Sequence, residues 1–390
     1  MQKHSRRQFL KLCAALGIAP LAAGSIDGVL AADRPEGKVL IIGAGAAGLV
    51  SGYLLDRFGI DFEILEASAS YGGRMKHHTG FADFPISLGA EWLHGEQEIL
   101  SEILANDNVR VTTRTRGYDP NDRLGYFEDG ELYTEKIGDT EDRKFVGSSW
   151  LRFFEKYILP SVANRIRLNT EVTAIDYRRK KIAVRDRARQ SFSADKVIFT
   201  APLQMLKRSR ISFTPALPKA KQRAIRKAVV WSGVKVFIKF SKRFYPTFLA
   251  FPDSDTRKGQ RLYYDAAYAQ RSDENILGLF AVGDQARPYL SRKGDKLKRY
   301  ILDELGEIYG KTPESTYLDH MAQYWDEEPH IHGAYLSDYS DDAIPETLAE
   351  PIGDKLYFAG EAYTDEGDWG GVHNAARAAH AAVETLIESV

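Results

Sequence analysis

The spacing of hydrophobic positions changes several times along this chain, and each change marks an element. Val39–Ile42 is a short unbroken apolar run, as expected of a strand buried on both faces. From Ala46 to Phe58 the apolar residues Ala47, Val50, Leu54 and Phe58 recur at helical spacing, and Phe62–Leu65 is apolar again. This strand–helix–strand order predicts a parallel pair with a right-handed crossover. Past Glu171, Val172 and Ala174 lead through a Lys180–Lys181 turn to Ile182 and Val184, and then to a buried strand at Val197–Phe199. Near the end, Leu356–Ala359 runs into an alanine-rich helix from about His373 to Leu386.

The intervening segments differ in character. Residues 96–165 mix charged helical stretches with the aromatic run Trp150, Phe153, Phe154 and Tyr157. Residues 211–345 carry a strand at Lys235–Phe240 and a charged helix from about Asp295 to Tyr309. No internal repeat or low-complexity linker interrupts them. The expected fold is α/β, mixed overall: one domain assembled from 33–95, 166–210 and 346–390, and a second, of mixed sheet and helices, from 96–165 and 211–345.

Composition removes several function classes. With 390 residues, 44% of them hydrophobic, the chain can bury a substantial core. Its 53 basic and 54 acidic side chains leave a net charge of −1, without the footprint of a nucleic-acid binder. No apolar run in the body approaches the roughly 20 residues of a membrane span. Cys13 is the only cysteine, which excludes an internal disulfide, a zinc–thiolate site and an iron–sulfur cluster. His77, His78, His330 and His332 lack acidic or cysteine partners at ligand spacing, so no metal site is expected.

The first 32 residues stand apart. Ser5, Arg6, Arg7, Gln8, Phe9, Leu10 and Lys11 precede an apolar run from Leu12 to Ala23, and Val29, Leu30 and Ala31 offer a cleavage point before Ala32. This is the pattern of a twin-arginine export signal, implying passage through the twin-arginine translocase and a periplasmic or otherwise exported protein. That route carries folded proteins, often with a cofactor already bound.

Gly43, Ala44, Gly45, Ala46, Ala47 and Gly48 form a G-x-G-x-x-G turn between the first strand and the first helix. Its glycines permit a tight turn, close backbone approach to a pyrophosphate and close helix packing, and the helix N-terminus presents N–H groups to phosphates. Glu66 ends the second strand, where a carboxylate can accept both ribose hydroxyls. An acidic residue there argues against a 2′-phosphate and leaves NAD or FAD.

Glu66 is followed by Tyr71, Gly72, Gly73 and Arg74, and here the chain resembles the flavin-containing amine oxidoreductases, the family of monoamine and polyamine oxidases. Two further blocks carry the resemblance: Gly89, Ala90, Glu91, Trp92, Leu93, His94, Gly95, and Tyr357–Glu361 followed by Trp369, Gly370, Gly371, Val372, His373, Asn374. It spans about residues 36–388 and implies a Rossmann-like FAD-binding domain with an interleaved substrate domain. By position it implies that Arg74 reaches the flavin side of the cofactor, that Val172 supports the adenine end, and that Glu361 bonds the ribityl or pyrophosphate region. Gly73, Gly89, Ala90, Glu91, Trp92, Gly360, Trp369, Gly371 and Val372 complete the implied FAD-binding set. No cysteine is available for a thioether, so the FAD is expected to be non-covalent.

For Lys235 two readings compete. Alternation in Trp231–Phe240 puts Val236, Ile238 and Phe240 on one face and Lys235 on the other, and by composition an exposed strand face is favoured. The resemblance instead implies that Lys235 is the catalytic lysine that holds a water against flavin N5. The family's aromatic pair in front of the flavin is missing, since Gly371 and Leu336 stand near its two positions. Tyr335 or Trp369 could supply a different wall, with His94 at the pocket mouth or as a hydrogen-bonded structural histidine.

These features imply an exported FAD-dependent oxidoreductase acting on the C–N bond of an amine, polyamine or amino acid. Hydride would pass to flavin N5, the imine would hydrolyse, and dioxygen or another acceptor would reoxidise the flavin; a homodimer is allowed. Two alternatives stay open: a C–C desaturase of an isoprenoid or porphyrinogen-like molecule, and a flavin-binding protein with little turnover.

Overall fold

The computed structural model describes residues 37–364 and 369–389; the export signal read in the first 32 residues lies outside them. The apolar runs form an all-parallel five-stranded sheet in the order Ile166–Arg167, Asp61–Leu65, Lys38–Ile42, Lys196–Phe199, Leu356–Phe358. Both faces are covered, as a parallel sheet requires. On one face the helix Ala46–Arg57 packs against the long helix Gly371–Glu388. Small side chains at Ala47, Ala375 and Ala379 are buried in this layer beside Leu49, Val50, Tyr53 and Val383. On the other face, Leu40, Ile42, Val197 and Phe199 pack against a smaller sheet built from Val172–Asp176, Ile182–Asp186, Ser191–Ala194 and Ser212–Thr214.

The second body is a larger sheet. Its strands run Tyr317–Tyr324, Gly233–Phe240, Asn275–Gly283, Gly259–Asp265, Phe248–Ala250, Arg123–Glu128, Glu131–Lys136. The helix Asp295–Tyr309 covers one face through Leu297, Ile301 and Leu305.

Residues 96–165 differ from the charged helical stretches expected of them. Thr115–Gly117, Arg123–Glu128, Glu131–Lys136 and Asp142–Phe145 are strands, and the middle pair is a hairpin that joins the larger sheet. Asp129 and Gly130, with φ of 52° and 81°, make its turn. An Asp-Gly pair between strands is a strong hairpin signal, because both central residues of such a turn need positive φ. The aromatic run is helical, as Trp150–Tyr157. It begins at Ser149, whose hydroxyl accepts the Arg152 N–H at 3.2 Å, a cap worth about 1 kcal/mol.

Candidate functional site

A cavity of about 630 Å³ runs between the two bodies, from the glycine turn at Gly43 and Gly45 to the strand bearing Lys235. Of the residues proposed from sequence, Ala47, Glu66, Gly73, Arg74, Gly89, Ala90, Glu91, Trp92, His94, Tyr335, Gly360, Glu361, Trp369, Gly371 and Val372 also border it. Gly48 and Val172 do not. Gly48 lies beneath the turn, buried in the helix, and Val172 is part of the core between the two smaller sheets.

The nucleotide end fits a dinucleotide. A Cβ placed on Gly45 would meet nothing within 4 Å, so the backbone there faces open space. The helix Ala46–Arg57 starts with no side-chain cap, leaving first-turn N–H groups for an anion. Glu66 accepts the Ala44 N–H on Oε2 at 2.7 Å and the Ser68 N–H on Oε1 at 2.8 Å, which ties the second strand to the glycine turn. The Arg74 guanidinium bonds Glu361 Oε1 at 3.0 Å and the Ala334 carbonyl, while Glu361 Oε2 accepts the Leu336 N–H at 3.2 Å. The ion pair is therefore internal to the cavity wall and joins two residues singled out for the cofactor.

At the far end the structure decides how Lys235 sits. Its strand is paired on both sides, so neither face reaches solvent, and the side chain is 3% exposed. The exposed-face reading of the alternation is overturned for this reason: Val236, Ile238 and Phe240 enter one core, while Phe237, next to Lys235, enters another. Lys235 Nζ lies 2.6 Å from Glu91 Oε2, 3.5 Å from the Ser87 carbonyl and 4.8 Å from the Trp92 ring centre. Glu91 also takes Lys144 Nζ on Oε1 at 2.8 Å and the Tyr264 hydroxyl on Oε2. Burial pushes the Glu91 carboxyl up, but Lys144 and Lys235 outweigh it and bring it down to about 2. Burial lowers Lys235; Glu91 opposes this and Lys144 adds to it, leaving its ammonium below the usual lysine range. The two directions agree, because one carboxylate is stabilised twice whereas each lysine has half a counter-ion and a like charge nearby.

The sequence did not single out Lys144 or Tyr264. Lys144 lies in a short strand of charged composition, Asp142–Phe145, and only its contact with a distant glutamate marks it. At the mouth His94 Nδ1 lies 2.6 Å from Asp142 Oδ1 and the ring is exposed. Asp142, Asp255 and Asp338 also line the cavity. Tyr335 donates to Gln260 Oε1 at 3.0 Å, and Trp369 Nε1 to the Ser337 carbonyl at 3.0 Å. Among the described residues, no group of three or more His, Cys, Asp or Glu side chains is placed to hold a metal ion.

A glycine-turn nucleotide seat joined by one cavity to a buried lysine on a separate sheet agrees with comparison against known families. Residues 154–387 match the model for flavin containing amine oxidoreductases. The chain belongs to this family. Residues 41–106 match the NAD(P)-binding Rossmann-like domain, so this is a flavin-dependent amine oxidase of α/β fold, with FAD as its cofactor. Polyamine oxidase 6 of Oryza sativa subsp. japonica is 23% identical, covering 96% of this chain and 95% of its own. L-amino-acid oxidase of Mus musculus is 22% identical, covering 84% and 67%. Among solved structures, a putrescine oxidase (TM-score 0.75, 15% identity) and cyclohexylamine oxidase from Brevibacterium oxydans (0.74, 14%) each match 91% of this chain and 99% of theirs. At such identity these two show the shared fold.

Proposed function

We propose that this flavin amine oxidase acts on a di- or polyamine, breaking a C–H bond beside nitrogen so that the resulting imine hydrolyses to a carbonyl compound and an amine. The observation carrying this reading is the buried Lys235–Glu91 pair bordering the same cavity as the glycine turn and Glu66. Three carboxylates on the cavity wall, Asp142, Asp255 and Asp338, suit a substrate with more than one ammonium. Polyamine and putrescine oxidases among the relatives support the same substrate class.

FAD, held without a covalent bond, would supply the hydride acceptor and pass the electrons to dioxygen or another acceptor. Gly43, Gly45, Ala46 and Ala47 would seat its pyrophosphate, Glu66 its ribose, and Arg74 with Glu361 the stretch toward the flavin. Of the three donors of the Lys235 ammonium, Glu91 and the Ser87 carbonyl take two. The third is available to a water on the cavity side, positioned for imine hydrolysis. Export through the twin-arginine translocase to the periplasm completes the reading, on the strength of Arg6 and Arg7 ahead of the apolar run.

Anaerobic mixing of the FAD-loaded protein with diamines, polyamines, monoamines and amino acids tests the substrate class. Bleaching of the oxidised flavin absorbance fastest with di- or polyamines is expected; bleaching by amino acids alone, or by nothing, overturns the reading. Cell fractionation of the full chain beside an Arg6→Lys, Arg7→Lys variant tests export.

A further inference from the structure

The wall around Lys235 carries a second buried lysine that amine oxidation through Lys235 alone does not require. Lys144 is 3% exposed, Glu91 7% and Tyr264 0%. Lys144 comes from the strand Asp142–Phe145, reaches Glu91 Oε1 at 2.8 Å and also donates to the Ala266 carbonyl at 2.8 Å. Its ammonium lies 5.3 Å from the Tyr264 ring centre, and that of Lys235 lies 5.4 Å from the same ring. Two ammoniums thus share one carboxylate, with a tyrosine ring against both.

Other charged and titratable groups nearby are spoken for. Asp265 pairs with Arg243 at 2.8 Å, Asp142 with His94 at 2.6 Å, and the Tyr118 hydroxyl accepts Trp92 Nε1–H at 2.8 Å. Burial raises the Tyr118 and Tyr264 phenols far above their ordinary range, so they stay neutral. The triad is left as the local determinant of charge.

We propose that Lys144, acting through Glu91, is a positioning residue that sets how readily Lys235 gives up its proton. Removing Lys144 leaves a one-to-one pair and strengthens the hold of Lys235 on its proton. Removing the charge of Glu91 leaves two buried ammoniums facing each other, and Lys235 releases its proton more readily. A residue that only filled space would shift both in the same direction or not at all. The proposal rests on the reading of this cavity as the flavin site, since Lys235 must border the FAD for its charge to be seen.

The test is a pH titration of the visible absorbance of the substrate-free, FAD-loaded protein, in wild type and in Lys144→Met, Glu91→Gln and the double variant. Lys235→Met identifies the transition that belongs to Lys235. That transition should move up by about one pH unit or more in Lys144→Met and down by as much in Glu91→Gln. In the double variant, where the opposing changes act together, it should fall between those of the two single variants. Lys144→Arg, which keeps the charge, should titrate as wild type. Shifts of one sign in both single variants, or no Lys235-dependent transition in wild type, overturn the proposal. Should Glu91→Gln fail to fold, the direction in Lys144→Met decides alone. Because no substrate is present, opposed shifts with no bleaching by any amine would sink the proposed function and leave this inference standing.

Discussion

A Cβ on Gly48 would stand 1.9 Å from the carbonyl oxygen of Gly43, whereas one on Gly45 would meet nothing within 4 Å. Two glycines of one turn therefore serve different ends, one packing the helix onto the strand and the other keeping the cavity side clear. Gly48→Ala should lower the stability of the apoprotein by about 1–3 kcal/mol through overpacking. Gly45→Ala should melt as wild type yet bind FAD at least about tenfold more weakly, a difference of ~1.4 kcal/mol. Thermal melts of the apoproteins and flavin titrations check both; a Gly45→Ala protein with wild-type affinity would move the pyrophosphate elsewhere.

Glu66→Ala removes a carboxylate that holds the glycine turn through Ala44 and the following loop through Ser68. It should weaken FAD binding by one to two decades, from charge-assisted hydrogen bonds worth about 1.5–3 kcal/mol. Glu66→Gln keeps an acceptor and should lose less. Equal and full flavin occupancy in both variants would detach Glu66 from the nucleotide.

Much of this was legible in the chain, for identifiable reasons. The strand at Lys38–Ile42 and the helix at Ala46–Arg57 follow from an unbroken apolar run and a 3.6-residue period around a glycine turn, all local signals. The helix Asp295–Tyr309 carries its period in Leu297, Ile301 and Leu305. The hairpin Arg123–Lys136 was missed because polar residues fill Glu131–Lys136, an exposed edge strand whose only mark is its Asp-Gly turn. Burial of Lys235 could not be read from its own strand: alternation names two faces but not what covers each, and the cover comes from residues far along the chain. The same holds for Lys144, which meets Glu91 only in three dimensions.

Glu91 also fixes how stability responds to acid. Its carboxyl is held at about 2 in the folded protein, below the ordinary 4.5. A depressed carboxylate contributes stability that is present above the unfolded value and lost as pH falls through the folded one. Wild type should therefore lose more stability than Glu91→Gln between pH 5 and about pH 3, so that their melting midpoints converge on acidification. Parallel midpoint curves across that range would mean that Glu91 is not held ionised by its two lysines.

Lys235→Met should keep FAD bound while slowing turnover. The methionine takes up much of the same buried space, and Glu91 keeps Lys144 as its counter-ion, so the fold tolerates the loss. Stopped-flow measurement of the reductive and oxidative half-reactions separates the effects. Wild-type rates in both would leave Lys235 a structural charge.

The aromatic wall of the substrate end depends on residues other than Gly371. That glycine has φ of 68°, and a Cβ on it would lie 2.9 Å from the His373 Cε1 atom. A tyrosine there would adopt a left-handed backbone at a cost of about 1–2 kcal/mol, and would press on His373 before its ring reached the cavity. Gly371→Tyr should accordingly lower the melting temperature without restoring an aromatic pair. Trp369 and Tyr335 line the same cavity, each anchored by one hydrogen bond at 3.0 Å, to Ser337 and Gln260 respectively. An ammonium against the face of such a ring gains about 0.5–2 kcal/mol, so Trp369→Leu should lower kcat/KM for the amine roughly 2- to 30-fold while Tyr335→Phe, which keeps its ring, changes it little. Initial-rate kinetics on the best amine of the panel decide it: an unchanged kcat/KM in Trp369→Leu would take the indole out of the substrate wall.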